Sequence, residues 1–251
     1  MKTKYLIGNM KMNMSKEKLI PYFEGLKKVA ENSNNIVGVC VPSVYLCLAE
    51  KCLNGSKVKY GVENFYYKDN GAYTGEISAE MLKDFNTELV IVGHSERRTL
   101  FGETDADVNL KTKRALLSGF RPIVCFGENL DERNRHFEKL VVQTQILEAI
   151  QDIDKEDIKK IIFAYEPVWA IGTGVTATSE QAEEIISYAK ELIVSNYEGL
   201  KPEDIIILYG GSMKGSNAED LLSKPSIDGG LIGGACLNVE DFKKIIDIEI
   251  K

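Results

Sequence analysis

The hydrophobic positions of the chain repeat one unit: a short apolar run, a polar loop and then a segment with helical spacing. The apolar runs are nearly continuous in Val, Ile, Leu, Phe and Tyr, which is typical of strands that are buried on both faces of a parallel sheet. The predicted strands are Tyr5–Gly8, Ile36–Val41, Val58–Val62, Leu89–Val92, Pro122–Phe126, Ile161–Tyr165, Ile205–Tyr209 and Gly230–Ile232.

The segments between these runs carry helical patterns. In residues 16–31, Leu19, Phe23, Leu26 and Ala30 form one apolar stripe. Thr178 is followed three residues later by Gln181, which is the pattern of a capping box at a helix start. The clearest predicted helices are Lys16–Glu31, Asp105–Ser118, Glu180–Tyr197, Ser216–Leu222 and Val239–Ile246.

Eight strand–helix units follow one another without a linker or a change in composition. This number in 251 residues predicts an α/β protein with one domain, a single (β/α)8 barrel over residues 1–251. An open doubly wound sheet is the structural alternative, although the segment after the first strand, Ile7-Gly8-Asn9-Met10, lacks its usual glycine fingerprint. Periodicity alone leaves the choice open, because both folds alternate strand and helix.

Composition excludes several classes of protein. Lys and Arg number 31 and Asp and Glu number 38, so the net charge is −7, which is unfavourable for binding nucleic acid. No apolar stretch approaches the roughly 20 residues that cross a bilayer. The cysteines are odd in number and lack paired CxxC spacing, which favours buried free thiols in a reducing cytoplasm over disulfides or a zinc site. They are Cys40, Cys47, Cys52, Cys125 and Cys236.

The candidate chemical groups follow the predicted strands, where the loops of a barrel build active sites. Lys11 follows the first strand, His94 the fourth and Glu166 the sixth. Each also has a structural interpretation, as a surface lysine, a hydrogen-bonded core histidine and a salt-bridged carboxylate. Ser95 is predicted to begin a helical turn, and a helix N-terminus favours a neutral imidazole at His94. His136, in a polar helical stretch, is predicted to be a solvated surface residue.

Two loops suggest how a ligand is enclosed and held. Residues 167–177 contain the only tryptophan, Trp169, within an unusually apolar loop, which indicates a lid that is alternately exposed and buried. The turns Gly210-Gly211-Ser212 and Gly233-Gly234 follow the seventh and eighth strands. Backbone N–H groups of such turns can hold a phosphate, and this is where the fold commonly has a phosphate site.

Taken together, these motifs resemble those of the triosephosphate isomerase family, in order and across nearly the whole chain. The matching stretches are Gly8-Asn9-Met10-Lys11-Met12-Asn13, Gly93-His94-Ser95-Glu96-Arg97-Arg98, Phe101-Gly102-Glu103, Ala164-Tyr165-Glu166-Pro167-Val168-Trp169-Ala170-Ile171-Gly172-Thr173-Gly174, Tyr209-Gly210-Gly211-Ser212 and Gly233-Gly234-Ala235. The resemblance implies a cytoplasmic aldose–ketose isomerase of glycolysis and gluconeogenesis. It would interconvert dihydroxyacetone phosphate and D-glyceraldehyde 3-phosphate through an enediol(ate), without a metal or organic cofactor.

The resemblance also implies roles for individual residues. Glu166 would be the base that moves a proton between adjacent carbons, and a neutral His94 would polarise the carbonyl and shuttle a proton between the oxygens. Lys11 and Asn9 would supply charge and hydrogen bonds, and Glu96 would support the site. The backbone groups that would hold the phosphate belong to Gly172, Ser212, Gly233 and Gly234.

A homodimer is a further implication, with the 71–76 loop inserted near Met14 of the partner. The chain departs from the family at three positions: Met10 replaces the usual Trp, Val175 the usual Lys at the end of the lid, and Glu63 the usual Gln before Asn64. Because β-branching stiffens the backbone, we predict that Val175 modestly alters lid kinetics. Glu63 would lie at the dimer interface, where burial raises the pKa of a carboxyl group. Because ionisation of a buried carboxyl costs stability, we predict that an unpaired Glu63 weakens the dimer as pH rises.

Other phosphate-binding barrels fit the sequence less well. A Schiff-base aldolase needs a lysine on a strand, and the sixth strand has none. A metal-dependent epimerase needs clustered ligands, which two distant histidines do not supply. A catalytically idle scaffold is the alternative from another class, and the joint presence of Lys11, His94, Glu166 and both glycine turns argues against it.

Overall fold

The computed structural model describes residues 2–171 and 176–250. Within these residues, eight parallel strands close into a barrel in which each strand pairs with the next and β1 pairs with β8. The strands are β1 (Tyr5–Asn9), β2 (Ile36–Val41), β3 (Lys59–Val62), β4 (Leu89–Val92), β5 (Arg121–Phe126), β6 (Ile162–Tyr165), β7 (Ile206–Tyr209) and β8 (Gly229–Ile232). The prediction of a (β/α)8 barrel is confirmed, and the open sheet is excluded.

Helices follow the strands and cover the outside of the barrel. They are α1 (Lys16–Glu31), α2 (Leu46–Leu53), α3 (Ala79–Lys83), α4 (Ser95–Phe101), α5 (Asp105–Leu117), α6 (Leu130–Asn134), α7 (Glu138–Ala149), α8 (Lys155–Ile158), α9 (Ser179–Ser195), α10 (Ala218–Ser223) and α11 (Val239–Ile246). Short 3₁₀ turns occupy Ser43–Tyr45, Val168–Ala170, Pro202–Asp204 and Gly234–Leu237. None of the helices in the described part of the chain is long and apolar enough to cross a bilayer.

The predicted boundaries agree with the structure to within two residues. The predicted capping box starts α9: the Gln181 N–H donates to Thr178 Oγ1 at 3.2 Å, and the Thr178 N–H donates to Gln181 Oε1 at 3.0 Å. Helix α9 ends at Ser195, two residues before the prediction, where the Asn196 side chain donates to the Leu192 carbonyl at 2.8 Å. His136 is exposed as predicted, but it lies between α6 and α7 with a φ of 58°, not in a helix.

Alternation along the strands creates two apolar layers. One set of strand residues points into the barrel and forms a cluster of its own, which is why the interior is a packed core and not a pore. The barrel interior contains Ile7, Cys40, Leu89, Ile91, Ile123, Cys125, Ile162, Ala164, Leu208 and Leu231. The opposite faces of the strands pack against the helices. The barrel is therefore closed below its mouth, and polar strand-end residues such as Asn9 and Glu166 lie at that mouth.

The five cysteines are free. Cys40, Cys125 and Cys236 are buried, as expected for structural thiols. The prediction of burial is wrong for Cys47, which is exposed, and only partly right for Cys52, which is half-buried. Both lie on α2, where the pattern of buried residues faces the barrel through Leu46, Ala49 and Leu53.

Candidate active site

The carboxyl ends of the strands surround a cavity of about 920 Å³. The structure brings every described candidate residue from the sequence to its wall. These residues are Asn9, Lys11, His94, Glu96, Glu166, Ser212, Gly233 and Gly234. The remaining candidate, Gly172, and the lid position Val175 lie outside the described residues. The side chains of Lys11 and Glu166, 155 positions apart in the sequence, thus meet at one cavity.

Glu166 is held at the end of β6 by groups from β4 and β5. Its backbone N–H donates to the Phe126 carbonyl at 2.7 Å, and its side chain is almost fully buried. One carboxylate oxygen, Oε1, lies 2.9 Å from His94 Nε2, and the other accepts the Ser95 N–H at 2.8 Å. Burial alone raises the pKa of Glu166, but the contacts with His94 and the Ser95 N–H outweigh burial and hold it below its ordinary value.

His94 is the N-cap of α4, and this position fixes its tautomer. The Glu96 N–H donates to His94 Nδ1 at 3.1 Å, so Nδ1 carries no proton and the Nε2 N–H points toward Glu166. Burial lowers the pKa of His94, but the charge and hydrogen bond of Glu166 raise it above its ordinary value. The prediction of a neutral imidazole considered only the helix N-terminus, and the structure adds a carboxylate that acts in the opposite direction.

Lys11 is held rigidly beside this pair. Its backbone has a φ of 51°, which is uncommon outside glycine, and its N–H donates to the Asn9 side-chain oxygen at 3.0 Å. The ammonium group lies 2.6 Å from Glu96 Oε1. Asn9 therefore fixes the backbone of Lys11, and Glu96 fixes its charge at the cavity wall.

The glycine turns after β7 and β8 also line the cavity. A Cβ at Gly234 would meet nothing within 4 Å, and one at Gly233 would meet only Lys11 Cε at 3.5 Å, so this backbone faces open space. Asn217 fastens the other turn, since its side chain donates to the Ser212 carbonyl at 3.0 Å and accepts the Lys214 N–H at 2.7 Å. Both turns line the cavity, and the backbone of Gly233 and Gly234 is the part that no side chain covers.

Glu128 is a buried residue that the sequence analysis did not select. Its Oε1 accepts the Trp169 indole N–H at 2.7 Å, and it also accepts the Tyr165 hydroxyl and Arg133 Nη1, both at 3.1 Å. The Val168 N–H donates to the Glu128 carbonyl at 3.0 Å. Glu128 therefore ties the start of the predicted lid loop to the end of β5.

Glu103 is a second buried carboxylate with a positioning role. It accepts the Gly93 N–H at 2.9 Å and Arg97 Nε at 2.6 Å, and it lies 3.0 Å from the Lys111 ammonium. Burial raises its pKa, but Lys111 and Arg97 lower it below the ordinary value, so the carboxylate is charged. Because Gly93 turns the chain with a φ of 71°, Glu103 fixes the turn that aims His94.

A smaller cavity of about 390 Å³ adjoins the site on the side of β3 and contains Glu63, Gly75 and Glu76. Met12 and Phe101 line it and are 97% and 70% exposed, which is unusual for large apolar side chains. Burial raises the pKa of Glu63 to about 8, with Glu96 adding to this effect and Lys11 opposing it. Glu63 Oε1 is buried and has no hydrogen-bond partner among the described residues.

Comparison with known proteins gives a consistent result. A sequence model of the triosephosphate isomerase family matches residues 4–249. The triosephosphate isomerase of Alkaliphilus oremlandii is 42% identical over 247 residues, which are 98% of this chain and 100% of that protein. The Lactobacillus acidophilus enzyme of the same name is 41% identical over 249 residues, 99% of each chain. The Rhodopirellula baltica enzyme is 45% identical over 242 residues, 96% of this chain and 95% of that protein.

Proposed function

The chain belongs to the triosephosphate isomerase family and interconverts dihydroxyacetone phosphate and D-glyceraldehyde 3-phosphate, and we propose that Glu166, His94 and Lys11 carry out this reaction. The observation that supports these roles is the contact of 2.9 Å between Glu166 and His94 at the wall of the cavity that Lys11 also lines. A carboxylate, an imidazole N–H and a fixed cation are the groups that proton transfer next to a carbonyl requires.

Glu166 is the base in this proposal. A substrate that enters between Glu166 and His94 replaces their contact, and the carboxylate then faces the carbon that carries the acidic proton. Since burial remains while the contact with His94 is lost, the pKa of Glu166 rises and the carboxylate becomes a stronger base. One carboxylate serves both carbons, because it takes the proton from one and returns it to the other.

His94 and Lys11 stabilise the oxygen on which negative charge develops. The His94 Nε2 N–H, released from Glu166, donates to this oxygen, while the Nδ1 bond to Glu96 N–H keeps the ring in the correct tautomer. Asn9, buried beside Lys11, supplies a further polar group. Fixed donors of this kind are typically worth about 3 kcal/mol each in the transition state.

The phosphate of the substrate is bound by backbone N–H groups of Ser212, Gly233 and Gly234. Neutral donors explain how a protein of net charge −7 holds a dianion, because the local field at the turns decides binding. Gly172 is proposed as a further donor from the family pattern.

A coupled assay with purified protein tests this proposal through Glu166→Gln. The amide has the same shape but cannot accept the proton, so we expect kcat to fall by about 10²–10⁴-fold while binding of a phosphate-bearing analogue is retained. Glu17→Gln, which removes an exposed carboxylate on α1, is the control and should keep full activity. Near-normal turnover of Glu166→Gln would show that the base is misassigned.

We also propose a homodimer formed through the 71–76 loop and the region around Met14 and Glu63. The 390 Å³ cavity contains residues of this loop, and the exposed Met12 and Phe101 beside it form an apolar surface that a monomer would leave in water. Sedimentation at several protein concentrations tests the assembly. A monomer at every concentration would contradict it.

One domain over residues 1–251 and a cytoplasmic location stay predictions. The pairing of β1 with β8 supports the first, because the barrel needs both ends of the chain to close. The free cysteines support the second.

A further inference from the structure

A third cavity, separate from the other two, reaches Glu166 from outside the barrel mouth. This rear cavity, of about 180 Å³, extends between α4 and the ends of β5 and β6. It runs from the exposed residues Thr99 and Asn129 to the buried residues Ser95 and Glu166. Among the described residues, Glu166 is the only one that lines both the rear cavity and the 920 Å³ substrate cavity.

The wall of the rear cavity is polar and well fixed. The Gln145 amide is bonded to both the N–H and the carbonyl of Gly127, at 2.8 and 3.3 Å. Arg98 donates to the carbonyl groups of Gly93 and Cys125, at 2.7 and 3.2 Å. A polar cavity of this size accommodates several water molecules, since one water occupies about 30 Å³ in the liquid.

The position of Glu166 gives this cavity a chemical consequence. During turnover the substrate covers the side of the carboxylate that faces the barrel mouth, and water is excluded there. The oxygen that accepts the Ser95 N–H belongs to the same carboxyl group, and Ser95 lines the rear cavity. The rear cavity therefore brings water next to the residue that holds the transferred proton, on a side that the substrate does not cover.

We propose that the rear cavity is the path by which solvent exchanges the proton that Glu166 has taken from the substrate. This inference rests on the proposed role of Glu166 as the base. In the exchange, the carboxylic acid gives its proton to a water molecule and takes another from that water, so charge and atoms balance. The proton then returned to the neighbouring carbon comes from solvent and not from the substrate.

Isotope transfer in D₂O tests the proposal through Thr99. D-Glyceraldehyde 3-phosphate with ordinary hydrogen is converted in D₂O, the product is trapped at once, and NMR gives the fraction of dihydroxyacetone phosphate that contains deuterium. Thr99→Phe narrows the rear cavity, and we expect the ratio of deuterium to hydrogen in the product to fall about threefold. Thr99→Ala widens it and should raise that ratio. Neither should change kcat/KM by more than about twofold, because Thr99 does not line the substrate cavity.

Thr144 provides the matched control. It is an exposed threonine on α7 that lines none of the three cavities described above, so Thr144→Phe and Thr144→Ala should leave the isotope ratio unchanged. The proposal is overturned if neither Thr99 variant differs from the wild type in isotope ratio. Loss of the proposed function is a different result, because it would appear as normal turnover of Glu166→Gln in the same assay.

Discussion

Replacing Glu63 with glutamine should stabilise the protein at alkaline pH. Glu63 follows β3, its side chain is half-buried, and its Oε1 has no hydrogen-bond partner among the described residues. Burial and the nearby Glu96 raise its pKa, and Lys11 compensates only in part. Glutamine has the shape of the protonated side chain and never becomes charged, so the substitution removes only the cost of ionisation.

The magnitude follows from the pKa of Glu63, which is about 8 in the folded chain against 4.5 as its ordinary value. This difference corresponds to about 5 kcal/mol of stability at full ionisation. Because Glu63 keeps some contact with solvent, we expect about half of this, ~2 kcal/mol. The folded pKa is raised, so the proton-linked stability is present below pH 4.5 and is lost as pH rises toward 8.

Urea unfolding of wild type and Glu63→Gln between pH 5 and pH 9, at one protein concentration, measures this effect. The advantage of Glu63→Gln should be small near pH 5, grow with pH and level off above about pH 8. Glu17→Gln controls for the loss of one negative charge. If the partner buries Glu63 further, the Glu63→Gln dimer should also dissociate less than the wild-type dimer at alkaline pH. Equal stability and equal dissociation of the two proteins at every pH would refute the reasoning.

Three further substitutions test other parts of the structure. Lys4 is buried and donates to the Ile227 carbonyl at 2.5 Å, and burial followed by the charge of Lys2 lowers its pKa to about 8. Between pH 8 and 10.5 the unfolded chain therefore binds more protons than the folded chain. Over this range the free energy of unfolding of wild type, measured with urea, should increase relative to that of Lys4→Met by up to about 3 kcal/mol. Lys214→Gln removes an exposed cation from the rim of the substrate cavity, where it attracts the anionic substrate. At low salt kcat/KM should therefore fall by about twofold to tenfold while kcat stays unchanged, and at high salt the difference in kcat/KM should disappear. Glu128→Gln weakens three charge-assisted hydrogen bonds and should destabilise the fold by about 2–3 kcal/mol in urea unfolding. The fluorescence emission of Trp169, the only tryptophan, should shift, and unchanged emission would contradict the importance of the bond between Trp169 and Glu128.

The strands could be predicted closely because burial on both faces leaves an uninterrupted apolar run. Six of the eight strands differ from the prediction, each by one residue at one end. Strand β1 extends one residue further, to Asn9, which pairs with Cys40, and β8 begins one residue earlier, at Gly229. A Cβ at Gly229 would lie 1.8 Å from the Tyr5 carbonyl oxygen, so glycine permits the close approach of β8 to β1. Barrel closure depends on this contact between the two ends of the chain, which local periodicity does not encode.

The site was predictable to the extent that it consists of strand ends, because all carboxyl ends of a parallel barrel lie on one side. This rule places Lys11, His94 and Glu166 together from their positions alone. It does not find Glu128 or Glu103, because each acts through partners from other elements. Glu128 binds Trp169, 41 positions away, and a charged residue in a loop gives no signal of burial. The one indication in the sequence was Trp169 itself, because a tryptophan in an apolar lid needs a hydrogen-bond acceptor for its indole N–H.

The contact between Glu166 and His94 affects the protonation of both residues, one of which is proposed to act as a base and the other as a neutral hydrogen-bond donor. In the free protein each group shifts the pKa of the other, that of Glu166 downward and that of His94 upward. A substrate that separates them removes both influences, while burial continues to act on each. Burial disfavours the charged form of either group, so the pKa of Glu166 rises toward that of an effective base and the pKa of His94 falls toward that of a neutral donor. The contact therefore stabilises Glu166 as a carboxylate in the free protein, and Glu166 becomes a stronger base only where substrate lies between it and His94.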